Sequence, residues 1–191
     1  MSQIIKQIKP VFEEKISPVI DLLHRINISP NFITASGLLL ILIGSFFLYQ
    51  KDYLTAGLLI LAGNLCDALD GALARKHKKI TKFGAFIDSV VDRLSDFFPL
   101  MAVALIFRGD SLLLSATLLA VVSSFMVSYT RARAEGLGIE CKVGIFERAE
   151  RSIVLIIAVF TGFLEIAVFI ILIGSTITAI QRVVCFYRKT V

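Results

Sequence analysis

Six stretches of this chain are so long and so continuously apolar that helices crossing a lipid bilayer are the structure that accommodates them. They cover roughly residues 32–49, 54–75, 83–107, 111–132, 148–162 and 165–187. Hydrocarbon offers no water to an unpaired peptide group, so each span must close its own backbone hydrogen bonds, as a helix does. Segments of about 17–25 residues match the hydrocarbon thickness. The 57% hydrophobic content and mean hydropathy of +0.83 agree with this reading. The last two spans would also suit a hairpin in a soluble core, but their apolar runs are too long for that.

Ahead of the first span, Ile4–Ile26 mixes apolar positions with Lys6, Lys9, Glu13, Glu14, Lys15, Asp21 and Arg25. That pattern predicts an amphipathic helix lying in the membrane interface, bent near Pro10 or Pro18, with Ser29-Pro30-Asn31 ending it. The expected architecture is therefore an all-α integral membrane protein of one domain, 1–191. Residues 1–30 form its interfacial helix and 31–191 a bundle of six transmembrane helices. Met1–Lys9 has no apolar core of signal-peptide length, so no cleaved leader is expected. Cys66, Cys141 and Cys185 are far apart and lack a CxxC spacing, which argues against a disulfide framework or a zinc site.

The basic clusters Lys6–Arg25, Arg75–Lys82, Arg131–Arg151 and Arg182–Lys189 all fall on one side of a six-span layout. By the positive-inside rule that side, with both termini, is cytoplasmic in a multi-pass cell-membrane protein. The net charge of +5 lies between apolar spans. It suits anionic lipid headgroups or a phosphorylated substrate, and no nucleic-acid partner is expected.

Within these spans sit four aspartates, Asp67, Asp70, Asp88 and Asp92. Each ionised carboxylate in a membrane core costs a few kcal/mol or more and marks function. Asp67 and Asp70 are spaced i, i+3 and Asp88 and Asp92 i, i+4, so each pair shares a helix face. Clustered carboxylates repel one another strongly unless they take up protons or hold cations. An all-oxygen ligand set suits hard ions such as Mg²⁺, Mn²⁺ or Ca²⁺. Gly71 and Ala74 remove bulk from the acidic face, and Arg75 supplies a fork of donors for a phosphate. Gly84, one turn before Asp88, lets two helices pack closely.

Together these residues read Asp67-x2-Asp70-Gly71-x2-Ala74-Arg75-x8-Gly84-x3-Asp88-x3-Asp92. This resembles the signature of the CDP-alcohol phosphotransferase family at all eight positions, and the six-span layout after an interfacial helix is similar as well. The resemblance implies two divalent cations, Mg²⁺ or alternatively Mn²⁺, held by Asp67, Asp70, Asp88 and Asp92. It implies that Asp92 is also the general base nearest the acceptor hydroxyl. It further implies a CDP-linked lipid bound by Gly71, Ala74 and Arg75, with Pro30, Asn31, Thr34 and Thr81 contributing, and a homodimer.

Arg133, Lys142, Arg148, Arg151 and Arg182 gather charge at the expected cytoplasmic edge and would suit a dianionic phosphate on the incoming alcohol. Arg131 is a weaker candidate. This stretch resembles the branch making phosphatidylinositol phosphate, or its archaeal ether-lipid equivalent, from inositol 1-phosphate. Glycerol 3-phosphate is the alternative acceptor. Positive-inside topology accounts for many of these arginines without any substrate, and Glu135, Glu147 and Glu150 stand at spacings that allow pairing with them. From another class, a cation-coupled transporter would also use intramembrane aspartates. It would predict an inverted repeat, and the Asp67/Asp70 segment has no second copy in the later half. His24 and His77 are expected to be surface residues, and Cys66 to be packing.

Overall fold

The computed structural model describes residues 15–77 and 79–191, all helix and connecting turns with no strand among them. The part of the expected interfacial segment before residue 15, including Pro10, lies outside these residues. Helix α1 covers 15–25 and runs through Pro18. It is followed by α2 (Pro30–Tyr49), α3 (Tyr53–Lys76), α4 (Lys82–Ile106), α5 (Ser111–Gly136), α6 (Arg148–Thr161) and α7 (Leu164–Thr190). Each expected span coincides with one of α2–α7 to within four residues at either end. Packing divides the chain into two compact units that meet in sequence at Pro99 and Leu100.

In the unit ending at Pro99, the apolar face of α1 is tied down. Ile20 packs with Ile33, Ala72 and Leu73, and Ile16 and Leu23 add to the cluster. A Lys76–Asp21 ion pair at 2.6 Å closes its polar edge, and the hydrogen bond from Lys76 holds the Asp21 carboxyl below its ordinary range. His24 and His77, expected at the surface, are both half-buried and stack with ring centroids 3.7 Å apart. Asn27 turns the chain with φ of 57°, a conformation asparagine tolerates well. Ser29 then caps α2 by accepting from the Phe32 N–H, with Pro30 in its first turn.

Helices α2 and α3 approach closely because glycines face each other. A Cβ on Gly37 would lie 2.9 Å from Cys66 Cβ, and one on Gly63 would lie 2.5 Å from Ile41 Cγ1. Small residues permit this approach in lipid, where packing replaces the hydrophobic drive. Asn64 donates one amide hydrogen to the Ile60 carbonyl at 2.8 Å, and Ser45 donates its hydroxyl to the Ile41 carbonyl at 2.7 Å.

In the unit beginning at Leu100, α5 and α6 both pack on α7. Asp110 caps α5 by accepting from the N–H groups of Leu112 and Leu113. Glu150 accepts from the Glu147 N–H at the start of α6, and Gly162 ends that helix with φ of 79°. Among the described residues, four helices, α2, α3, α5 and α7, are long and apolar enough to cross a membrane. Helix α4 carries Asp88, Asp92, Arg93 and Asp96, and α6 has 14 residues, so length and apolarity alone do not establish all six expected spans. The chain is a multi-pass membrane protein of helices.

Candidate functional site

The acidic site is assembled from α3 and α4 within the unit that ends at Pro99. Asp67, Asp70 and Asp88 each bring one carboxylate oxygen to within 4.8 Å of the others. Opposed ligands of Mg²⁺ lie about 4.2 Å apart, twice an Mg–O distance of about 2.1 Å, so a small inward adjustment lets one hard cation bridge the three. Asp70 is 3% exposed, while Asp67 is half-buried. Ionised carboxylates this close repel by roughly 3–4 kcal/mol per pair at an effective dielectric of about 20, and ligation of a cation converts that cost into binding. The donor set and its spacing therefore fit a divalent metal.

Asp92 falls outside this trio. It follows Asp88 by one helical turn on the same face of α4, and Arg93 lies alongside, with its Nη1 3.9 Å from Asp92 Oδ2. Arg93 also donates to the Ser89 carbonyl. Thr34, expected at the nucleotide, donates its hydroxyl to Asp70 Oδ2. The sequence offered no signal for that bond, because 36 residues separate the partners.

Around the aspartates the expected donor-binding residues converge in part. Thr81 Oγ1 accepts from the Gly84 N–H at 2.9 Å. A Cβ on Gly84 would lie 2.9 Å from that hydroxyl and 3.2 Å from Asn31 Oδ1. Asn31, Thr81 and Gly84 thus meet where the first turns of α2 and α4 come together. On α3, the Arg75 guanidinium folds back over Gly71, 3.0 Å from where a Cβ would be. Ala74 is half-buried beside it in sequence, and Pro30 opens α2.

The basic residues belong to the other unit. Arg133 is exposed near the end of α5. Lys142 pairs with Glu140 at 2.8 Å, and that contact holds the Glu140 carboxyl below its ordinary range. Arg148 opens α6, and Arg151 on the same helix is 3% exposed. Arg131 pairs with Glu135 at 2.9 Å, as helical spacing allowed.

Arg182, also 3% exposed, spends its guanidinium on protein groups. Its Nε donates to Val143 O at 2.9 Å, one terminal nitrogen donates to Val127 O, and the other meets Glu147 Oε1 at 2.7 Å. It therefore joins α5, the 137–147 segment and the start of α6. The same segment is seated along α7 by Lys189 donating to Glu140 O and by Phe146 N–H donating to Thr178 Oγ1. Cys141 is buried between these anchors, and burial followed by its contact with Cys185 raises its thiol pKa. The sequence did not reveal this seam along α7.

The family model described as CDP-alcohol phosphatidyltransferase matches residues 27–184. The chain belongs to this family. It is a CDP-alcohol phosphotransferase, which decides against the transporter reading. An archaetidylinositol phosphate synthase of Pyrococcus horikoshii is 39% identical to this transferase over 94% of each chain. A phosphatidylinositol phosphate synthase of Streptomyces avermitilis is 30% identical over 97% of this chain and 83% of its own. The crystal structure of Mycobacterium tuberculosis phosphatidylinositol phosphate synthase with CDP-DAG bound is 28% identical to the transferase. It superposes with a TM-score of 0.82 over 89% of this chain and 92% of its own. The same synthase has also been crystallised with manganese and citrate.

Proposed function

We propose that this transferase moves a phosphatidyl-type group, diacylglycerol phosphate or archaeol phosphate, from a CDP-linked lipid to inositol 1-phosphate and releases CMP. The observation that carries the reading is the convergence of Asp67, Asp70 and Asp88, with Asp92 one turn further along the same helix face. The names of relatives that make inositol-phosphate lipids, and the CDP-DAG and manganese held by one of them, support it.

In this reading Asp67, Asp70, Asp88 and Asp92 hold two divalent cations, Mg²⁺ or alternatively Mn²⁺. When bound, these neutralise the charge on the diphosphate. Gly71, Ala74 and Arg75 receive the nucleotide end of the donor with Pro30, Asn31 and Thr81. Asp92 takes the proton of the acceptor hydroxyl as its oxygen attacks the lipid phosphate, and CMP leaves with the other bridging oxygen. Arg133, Lys142, Arg148 and Arg151 bind the acceptor phosphate, while Arg182 holds the 137–147 segment to α7. The protein acts as a homodimer of single six-span domains, with both termini and the site at the cytoplasmic face.

Purified protein given CDP-diacylglycerol or CDP-archaeol, Mg²⁺ and a panel of alcohols tests this. Inositol 1-phosphate is expected to release CMP faster than glycerol 3-phosphate, serine or free inositol. Loss of general-base catalysis in Asp92→Asn is expected to cost on the order of 10²–10⁴ in rate while donor binding persists. Activity with none of the alcohols would reject the reading. Preference for glycerol 3-phosphate would keep the chemistry and change the acceptor.

A further inference from the structure

Asp70 is 3% exposed, so bulk water does not satisfy its oxygens and the protein has to. The nearest supplier is Thr34 on α2, itself 5% exposed. Its Oγ1 has two acceptors in reach, Asp70 Oδ2 and the Pro30 carbonyl at 3.0 Å. A hydroxyl has one proton to give, and an ionised carboxylate is the stronger acceptor. The proton therefore goes to Asp70, with the carbonyl as its fallback.

The backbone leaves Thr34 little latitude in this. One turn further along α2, Gly37 sits so tightly against α3 that a Cβ would lie 2.9 Å from Cys66 and 3.0 Å from the Gly63 carbonyl. On the side toward α1, Ile33, Ala72 and Leu73 are locked in one apolar cluster. The reach from α2 to the Asp70 carboxylate is thus fixed by contacts before and after it.

We propose that Thr34 is a positioning residue for Asp70, holding one carboxylate oxygen so that the other is presented to a cation shared with Asp67 and Asp88. This rests on the metal reading above. It gives Thr34 a task distinct from the nucleotide contact expected from the sequence. Groups that orient metal ligands commonly contribute about 10–100-fold in metal affinity, which sets the size of the effect.

The test is Mn²⁺ titration of the purified full-length protein in detergent, followed by electron paramagnetic resonance with no donor or acceptor present. Thr34→Val removes the proton donor and keeps the shape, and is expected to weaken Mn²⁺ binding at least about tenfold, whereas Thr34→Ser stays within roughly threefold of the parent. Asp67→Asn and Asp88→Asn serve as references and are expected to weaken binding too. If the valine variant does not fold, as judged by thermal unfolding in EDTA, Thr34→Ala against Thr34→Ser makes the same comparison.

Loss of binding in the aspartate variants with unchanged affinity in Thr34→Val overturns the positioning role alone. A parent protein that binds no Mn²⁺, or aspartate variants that bind it normally, overturns the metal reading beneath it. A raised KM for the CDP-lipid at saturating Mn²⁺, with Mn²⁺ affinity intact, would make Thr34 a donor contact and also overturn the proposal.

Discussion

Arg75 folds back along its own helix, and Gly71 makes room for it. With no side chain at position 71, the guanidinium rests 3.0 Å from where a Cβ would stand. A methyl there meets the far end of a flexible side chain, so the fold tolerates it while the charged fork has to move. Gly71→Ala is therefore expected to leave thermal stability nearly unchanged. It should raise the KM for the CDP-lipid about tenfold, the worth of one charge-assisted hydrogen bond of roughly 1.5 kcal/mol. Initial-rate measurements against donor concentration check it, and an unchanged donor KM would remove Arg75 from the diphosphate. The same scale shows what a sequence conveys about a site. Spacing along one helix was enough to put Asp67 with Asp70 and Asp88 with Asp92, because helical periodicity is local. The bond between Thr34 and Asp70 crosses between helices and has no such signature.

Among the elements, the connection from α5 to α6 shows where periodicity runs out. Helix limits were legible because apolar runs and their breakers are written locally, as at Asp52 capping α3 and Gly162 ending α6. From the sequence, Arg133–Glu147 reads as a polar, glycine-rich stretch between spans, with Gly136, Gly138 and Gly144. In the structure its 137–147 part is laid along α7, with Gly174 against Phe146, Thr178 against Gly144, Arg182 bonded to Val143 and Lys189 bonded to Glu140. Those α7 residues are spaced by four, four and seven positions, so they share one face, yet the pattern reads as ordinary packing until the partner is known. Gly144 is the tightest point, with φ of 145° and Thr178 Cγ2 only 2.5 Å from a Cβ position. Gly144→Ala combines backbone strain with a collision and is expected to cost about 1–3 kcal/mol. Because the segment leads into Arg148, the acceptor KM should rise while the donor KM holds. Thermal unfolding and two-substrate kinetics check this, and a donor-side effect of equal size would contradict it.

For the molecule as a whole, the number of crossings decides which basic clusters share a side. If all of α2–α7 cross, residues 79, 142 and 189 lie on one face and 51, 108 and 163 on the other. If the four helices that satisfy length and apolarity are the only ones to cross, position 108 joins 79, and position 142 moves to the opposite face. That arrangement would strand Arg131–Arg151 across the membrane from Arg75–Lys82, against the bias that orients such proteins. Helix α6 spans roughly 21 Å from its 14 residues, short of a hydrocarbon core of about 30 Å, and a modest local thinning accommodates it. Of the carboxylates on α4, Asp88 meets Asp67 and Asp70. On the charge bias, six crossings are the expected outcome despite the deficit in length. Single cysteines introduced at 51, 79, 108, 142 and 163 in a background lacking Cys66, Cys141 and Cys185 should label from outside intact cells only at 51, 108 and 163. External labelling at 142 together with protection at 108 would establish the four-crossing topology and separate the basic residues from the acidic site by the thickness of the bilayer.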